Sequence, residues 1–234
     1  MKLLAIDTST ERMSLAAQNG EHVVTHQGAA GAQASAHLID AVLALLQQAN
    51  LTLPSLQAIA FGQGPGAFTG LRTACSVSQG LALGLNIPVV PVDTLLCIAQ
   101  SAEPAQRRVM SVLDARMGQV YSAAYERTSA GWSIVCKPLL SRPDELSWPV
   151  EWQDQPVLLT GNAVNSLAQE LQHLRHPQVS VQEQWPDARA MLPLAAAAWQ
   201  RGDSVPAADA APVYIRDEVA RTTAQRLADK QVQP

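Results

Sequence analysis

Apolar residues fall in short blocks along the first third of the chain, and most of those blocks are too brief for helices. Residues 3–7, 13–18 and 22–27 read as three successive strands, with Asn19-Gly20 as the two-residue hairpin turn between the second and third. A longer stretch at helical spacing, residues 35–50, follows. The apolar run 56–61 suits a buried strand, although its periodicity alone does not exclude a helical fragment. Beyond a glycine-rich loop the pattern predicts a helix from Thr69 to Leu85, a strand over 88–92 and a short helix from Thr94. The chain turns polar over 101–108, where Pro104 marks a boundary, and a second series begins. Strands are predicted over 109–114, 119–126 and 132–138, with Met117-Gly118 and Ala130-Gly131 at the turns. A strand over 157–160, a helix over 164–174, a strand over 179–182 and a helix over 193–201 complete it. The pattern therefore predicts a duplicated α/β chain with domains over 1–102 and 103–216 and a weakly basic, mobile tail over 217–234.

Residues 61–72 carry the densest information, with four glycines and a proline between an apolar run and a helix-like segment. Glycine reaches backbone angles that other residues reach only at a cost, and proline fixes φ while removing a donor. Gly62, Gly64, Pro65, Gly66 and Gly70 therefore hold a defined loop path, Thr69 is the expected helix N-cap, and Arg72 stands one turn on. Strand, glycine loop and helix in that order can build a phosphate site at the helix N-terminus, or can be a tight turn that shapes a packing surface. Neither GK[ST] nor the GxGxxG spacing is present, so neither standard nucleotide fingerprint applies.

The helix from Thr69 carries two stripes. Leu71, Ala74, Cys75, Ser78, Leu81, Ala82 and Leu85 suit packing on a sheet, whereas Thr73, Val77, Gly80 and Gly84 lie well round the axis. Each interior glycine costs roughly 1 kcal/mol relative to alanine, so close approach of another helix is the expected compensation. That helix is either the chain's own 35–50 segment or one from another molecule. Because Leu38, Ile39, Val42, Leu43, Leu45 and Leu46 cover more than one face of the 35–50 segment, both helices are expected to keep apolar surface for a partner. The expected interface comprises Leu38, Val42, Leu45, Thr73, Val77, Gly80 and Gly84, meeting its counterpart as a four-helix arrangement.

Composition narrows the chemistry. Charged residues make up 15% of the 234, against roughly 25% in average domains. The net charge of −4 gives no general electrostatic footprint for nucleic acid. Cys75, Cys97 and Cys136 are odd in number and lack a CxxC pair, which favours small buried hydrophobes over disulfides or zinc ligands. His22 and His26 are four apart but fall in a predicted strand, where about 13 Å would separate them at ~3.3 Å per residue. No metal and no cofactor is expected, and no window reaches membrane-spanning length, so a cytoplasmic location is expected. A serine-hydrolase reading lacks a GxSxG elbow.

Two three-strand openings, each with an aspartate at the end of its first strand, resemble the actin-like, sugar-kinase-like superfamily of ribonuclease-H-like folds. Asp7-Thr8-Ser9-Thr10 and Asp114-Ala115-Arg116 stand where its two phosphate loops would lie. The combination LLAIDTST, GQGPGAFTGLR, DARMGQVY and PVYIR at 212–216 resembles, more specifically, the TsaB (YeaZ) family. That resemblance implies a non-catalytic subunit that heterodimerises with TsaD, joins TsaE in a complex and self-associates when alone. The complex installs threonylcarbamoyl on adenosine 37 of tRNAs reading ANN codons, and the chain would touch tRNA only indirectly. An active kinase loop normally needs a glycine after its aspartate, and Thr8-Ser9-Thr10 has none, which leaves Asp7, Thr8, Ser9 and Asp114 as candidates for residual nucleotide binding. An independent kinase or glycoprotease-like hydrolase of the superfamily, and a homodimeric regulator unrelated to tRNA, are the alternative readings.

Overall fold

The computed structural model describes residues 1–29 and 32–216, so the predicted tail with Arg221, Arg226 and Lys230 lies outside the described residues. β1 (Lys2–Asp7), β2 (Arg12–Asn19) and β3 (His22–Ala29) form the antiparallel meander that the alternating blocks specify, but the two-residue turn is Gly20-Glu21, one position beyond the predicted Asn19-Gly20, because Asn19 still pairs with His22 and Gly20 takes the positive φ of +64°. α1 (Ala32–Gln48) then leads to β4 (Ala58–Gly64), which pairs parallel to β1. α2 (Phe68–Leu85) leads to β5 (Val89–Asp93), parallel to β4, and gives the sheet order β3-β2-β1-β4-β5.

The second half repeats this plan after α3 (Thr94–Gln100). Its strands are β6 (Arg108–Arg116), β7 (Gln119–Thr128), β8 (Gly131–Ser141), β9 (Val157–Thr160) and β10 (Val179–Gln182), in the order β10-β9-β6-β7-β8. The pairing senses repeat as well: an antiparallel meander, a fourth strand parallel to the first, and a fifth parallel to the fourth. Two mixed sheets with one topology make a duplicated actin-like α/β fold.

The low charge content follows from a first sheet covered on both faces. Leu4, Ile6, Leu15, Ile59 and Phe61 face α1 and α2, while Leu3, Ala5, Ala16, Ala58 and Ala60 face α5 (Ala188–Arg201). Four alanines on the second face let α5 approach closely with its own Ala188, Met191, Leu192 and Ala195. The halves also exchange helices. α5 follows the second sheet in sequence but packs on the first, and α3 follows the first sheet but packs through Leu95, Ile98 and Ala99 against Val109, Leu113 and Tyr125 of the second.

Three predicted boundaries differ from the structure. Pro193 does not open the last helix. Asp187 does, because its carboxylate accepts from Arg189 N at 2.9 Å, and Pro193 sits inside α5, whose apolar face is buried along the sheet. The predicted helix 164–174 reduces to α4 (Ala163–Ser166) and a 3₁₀ turn at Gln172–Leu174. Asn162, at the N-cap position, does not cap α4, because its Oδ1 accepts from Asp114 N at 2.9 Å instead. Nor does Thr69 cap α2: the N-cap is Ala67, and Thr69 is the second helical residue, exposed, its carbonyl accepting from Thr73 Oγ1 at 3.0 Å.

Candidate functional site

The glycine loop lies directly on the first aspartate loop, and the glycines are what allow it. A Cβ at Gly62 would fall on Asp7 Oδ2, one at Gly66 on the Ser9 carbonyl oxygen, and one at Gly70 on the Thr8 carbonyl oxygen. Hydrogen bonds fasten the two loops at that distance: Ala67 N donates to Ser9 O at 2.7 Å and Thr8 Oγ1 donates to Gly70 O at 2.6 Å. Gly64, φ +116°, joins a cis peptide to Pro65, and its N donates to Thr94 Oγ1 at 3.2 Å. The segment that would cradle a phosphate is thus packed against the chain's own backbone.

Asp7 is fully enclosed. Ser9 N and Ser9 Oγ both donate to Asp7 Oδ1, at 2.9 and 2.7 Å, while Oδ2 has no hydrogen-bond partner among the described residues. Burial pushes its carboxyl above the ordinary carboxylate range, the Ser9 bonds oppose that, and the nearby Asp187 adds to it. Asp93, at the start of α3, is raised by burial in the same direction while it accepts from Leu95 N, Leu96 N and Tyr125 Oη. A carboxyl raised in the folded state favours folding when protonated, so its stabilisation is present at low pH and is lost as pH rises through the folded value. Asp7→Asn keeps the Oδ1 acceptor for Ser9 and removes this titration. Urea unfolding from pH 4 to pH 8 is therefore expected to show the variant gaining on the natural chain as pH rises. A gap that does not change with pH would show that Asp7 is ionised in the folded protein.

Asp114 sits across from this loop in the second half. Its Oδ1 accepts from Arg116 N at 2.7 Å, which holds the β6–β7 turn where Arg116, Met117 and Gly118 have φ of +63°, +56° and +69°. Arg116 lies 3.5 Å from both Asp114 and Glu11, so one exposed guanidinium bridges the two halves. Such exposed pairs contribute about 0–1 kcal/mol. Asp7 and Asp114 therefore have unlike surroundings, one sealed and one bound into a surface turn. Among the described residues no three His, Cys, Asp or Glu side chains gather as a metal site.

A cleft of about 450 Å³ separates the two aspartate loops, lined by Thr8, Ser9 and the start of α2 on one side and by Leu113, Asp114, Tyr121 and Asn162 on the other. Residues 212–216, the PVYIR motif, run along it. Val213 N donates to Gln63 O at 2.7 Å, and Arg72 Nε donates to Tyr214 Oη at 3.0 Å while its guanidinium lies 3.8 Å from the centre of the Phe68 ring. Arg216 reaches the other half, donating to Ala115 O at 3.0 Å. Sequence reasoning gave Glu11, Asn162 and Tyr214 no role, since nothing in their local pattern reveals contacts over 48 to 142 positions.

The expected interface residues separate by burial. Leu38, Val42 and Leu45 are buried in the core against the first sheet, so their side chains are not available to a partner. Thr73 and Val77 are half-buried, whereas Gly80 and Gly84 are exposed, with nothing near where a Cβ would stand. The apolar side chains that α1 and α2 do expose are Ile39 (41%), Leu43 (45%) and Leu83 (60%).

The repeated sheet defines a protein of the duplicated actin-like class, in which the glycine loop packs on the loop after Asp7. Residues 23–224 match the family model described as TsaD, tRNA N6-adenosine threonylcarbamoyltransferase. The chain is 35% identical to the Escherichia coli K12 tRNA threonylcarbamoyladenosine biosynthesis protein TsaB, over 94% of this chain and 96% of that protein. With the Haemophilus influenzae protein of the same name the identity is 31%, over 94% and 95%. A crystal structure from Pseudomonas aeruginosa, of an uncharacterized protein with similarity to peptidase YEAZ, superposes with a TM-score of 0.84 at 34% identity, covering 92% of this chain and 99% of that one. A structure of YeaZ from the same organism gives 0.83 at 34%. The chain belongs to the TsaB (YeaZ) family.

Proposed function

We propose that this chain serves tRNA threonylcarbamoyladenosine biosynthesis as a non-catalytic subunit that pairs with TsaD through the outer faces of α1 and α2. The observation that carries this reading is the apolar surface that both helices leave exposed: Ile39 and Leu43 on α1, and Leu83 on α2. On α2 that leucine accompanies Gly80 and Gly84, which have open space where a Cβ would stand, and such surface suits close contact with helices of another molecule. In this reading TsaE joins the pair, and without TsaD the same residues meet their copies in a homodimer. The absence of a catalytic role is supported by the burial of Asp7 and by the packing of Thr8 and Ser9 under the glycine loop. No described helix is long and apolar enough to cross a membrane, which agrees with a cytoplasmic site of action.

Reconstitution tests this reading directly. Threonylcarbamoyl-tRNA is synthesised from TsaD, TsaE and a TsaC-type enzyme with and without the chain. Activity is expected to require it, and to survive Asp7→Asn and Asp114→Asn within about twofold. Full activity without the chain would refute the supporting role, and loss of activity in either variant that still pairs with TsaD would make the chain catalytic.

A further inference from the structure

We propose, resting on the pairing with TsaD described above, that Arg72 is the polar anchor of that interface and takes a carboxylate side chain of the partner in a bidentate ion pair.

Helical geometry puts Arg72 on the face that pairing covers. Arg72, Ser76, Gly80 and Leu83 follow one another at helical spacing along α2, and all four are exposed. At 1.5 Å per residue Arg72 stands about 12 Å from Gly80 along the axis. A standard interface buries about 800 Å² on each partner, a patch roughly 30 Å across, so one laid over Gly80 and Leu83 also reaches Arg72. Arg72 is the one charged residue among the 18 of α2. Covering it without a counter-ion would leave an uncompensated charge in the interface and oppose pairing. The chain does not supply that counter-ion: among the described residues Arg72 belongs to no ion pair, and its guanidinium makes one hydrogen bond, from Nε to Tyr214 Oη at 3.0 Å. The carboxylate therefore comes from the molecule that packs over α2.

The guanidinium is also held ready for it. Its carbon lies 3.8 Å from the centre of the Phe68 ring and 5.9 Å from that of Tyr214, and the two rings are 5.2 Å apart. Tyr214 is fixed in turn, because the segment before it is bonded to the first half at two points: Val213 N donates to Gln63 O at 2.7 Å, and Ala210 O accepts from Gln79 Nε2 at 2.9 Å. With Nε engaged, both Nη groups remain open among the described residues, and that edge of the fork matches the two oxygens of a carboxylate. A side chain ordered before binding loses little rotamer freedom on binding. Arginine and tyrosine are also the residue types on which binding energy concentrates.

Calorimetric titration of the full chain with TsaD at 50 and 300 mM NaCl tests the assignment. Arg72→Gln is expected to weaken pairing about thirtyfold at the lower salt and to flatten its salt dependence. Arg72→Lys keeps the charge without the planar fork, and should lose only about fivefold while keeping the salt dependence. A residue that merely held the 210–214 segment on α2 would give equal losses in both variants and an unchanged salt response. Thermal melting verifies that each variant folds. Natural affinity in Arg72→Gln, an unchanged salt response in it, or equal losses in the two variants would overturn the proposal. So would weakened self-association with TsaD affinity intact, which would give Arg72 to a second copy. Gly80→Arg runs alongside. If it pairs as the natural chain does, or if the natural chain does not pair, the α2 interface itself fails and the anchor with it. If Gly80→Arg loses TsaD while Arg72→Gln keeps natural affinity, the anchor alone is refuted.

Discussion

A chain carrying Gly80→Arg is expected to fold at least as stably as the natural one and to lose its partner. Gly80 lies inside α2, where a Cβ meets no atom within 4 Å, so a larger side chain enters without a clash. Replacing an interior helical glycine recovers roughly 1 kcal/mol of intrinsic propensity. For a protein of this size that raises the melting temperature by about 2–4 °C. In the assembled state the sign reverses. Where two helices meet over Gly80, Gly84 and Leu83, an arginine must either force the helices apart or be buried without a counter-ion, and an uncompensated buried charge costs about 3–5 kcal/mol. Each 1.4 kcal/mol is tenfold in affinity, so pairing should weaken at least a hundredfold. Sedimentation velocity of the variant mixed with TsaD, alongside its melting curve, measures both signs. A heterodimer of unchanged affinity would place the interface elsewhere on the molecule. A variant that melts early would show that Gly80 already packs against the chain itself.

The repeated strand order was legible because alternation, hairpin turns and short apolar runs are local signals. β1 to β5 each fall within about three residues of their predicted limits, since the turn at Gly20 fixes one register and apolar runs fix the others. The glycine loop was legible as a place of close approach, though not the thing approached: only the fold brings Gly70 over Thr8, 62 positions away. Helix faces were harder. Leu38, Val42 and Leu45 were indistinguishable in sequence from Ile39 and Leu43, and the sheet on which α1 rests decides which set is buried. Asp187 was available as a cap signal six residues before Pro193, but proline is so commonly a first-turn residue that it drew the boundary to itself. The exchange of α3 and α5 between halves had no local signal. It follows from which apolar sheet faces remain uncovered once α1 and α2 have packed on the first sheet.

Gly70→Ala is expected to be among the most damaging single-methyl changes in the chain. By propensity alone it should help, since Gly70 is the third residue of α2 and alanine gains up to about 1 kcal/mol there. The added methyl, however, would fall on the Thr8 carbonyl oxygen, which is backbone and cannot rotate away. Either α2 lifts from the Thr8-Ser9 loop or β1 shifts, and both routes disturb the 2.6 Å bond from Thr8 Oγ1 to Gly70 O and the 2.7 Å bond from Ala67 N to Ser9 O. Overpacking typically costs 1–3 kcal/mol and each lost bond about 1 kcal/mol, so the net loss after the helical gain should be about 2–4 kcal/mol. Against a total stability of about 5–15 kcal/mol this is a drop in melting temperature of roughly 5–15 °C. Gly80→Ala, an identical substitution ten residues along the same helix, should raise it instead. Opposite signs from one chemical change isolate the contact with Thr8 as the cause. If both glycines responded alike, the glycine loop would be yielding at Gly70, and its closeness to the Asp7 loop would not be a fixed feature of the molecule.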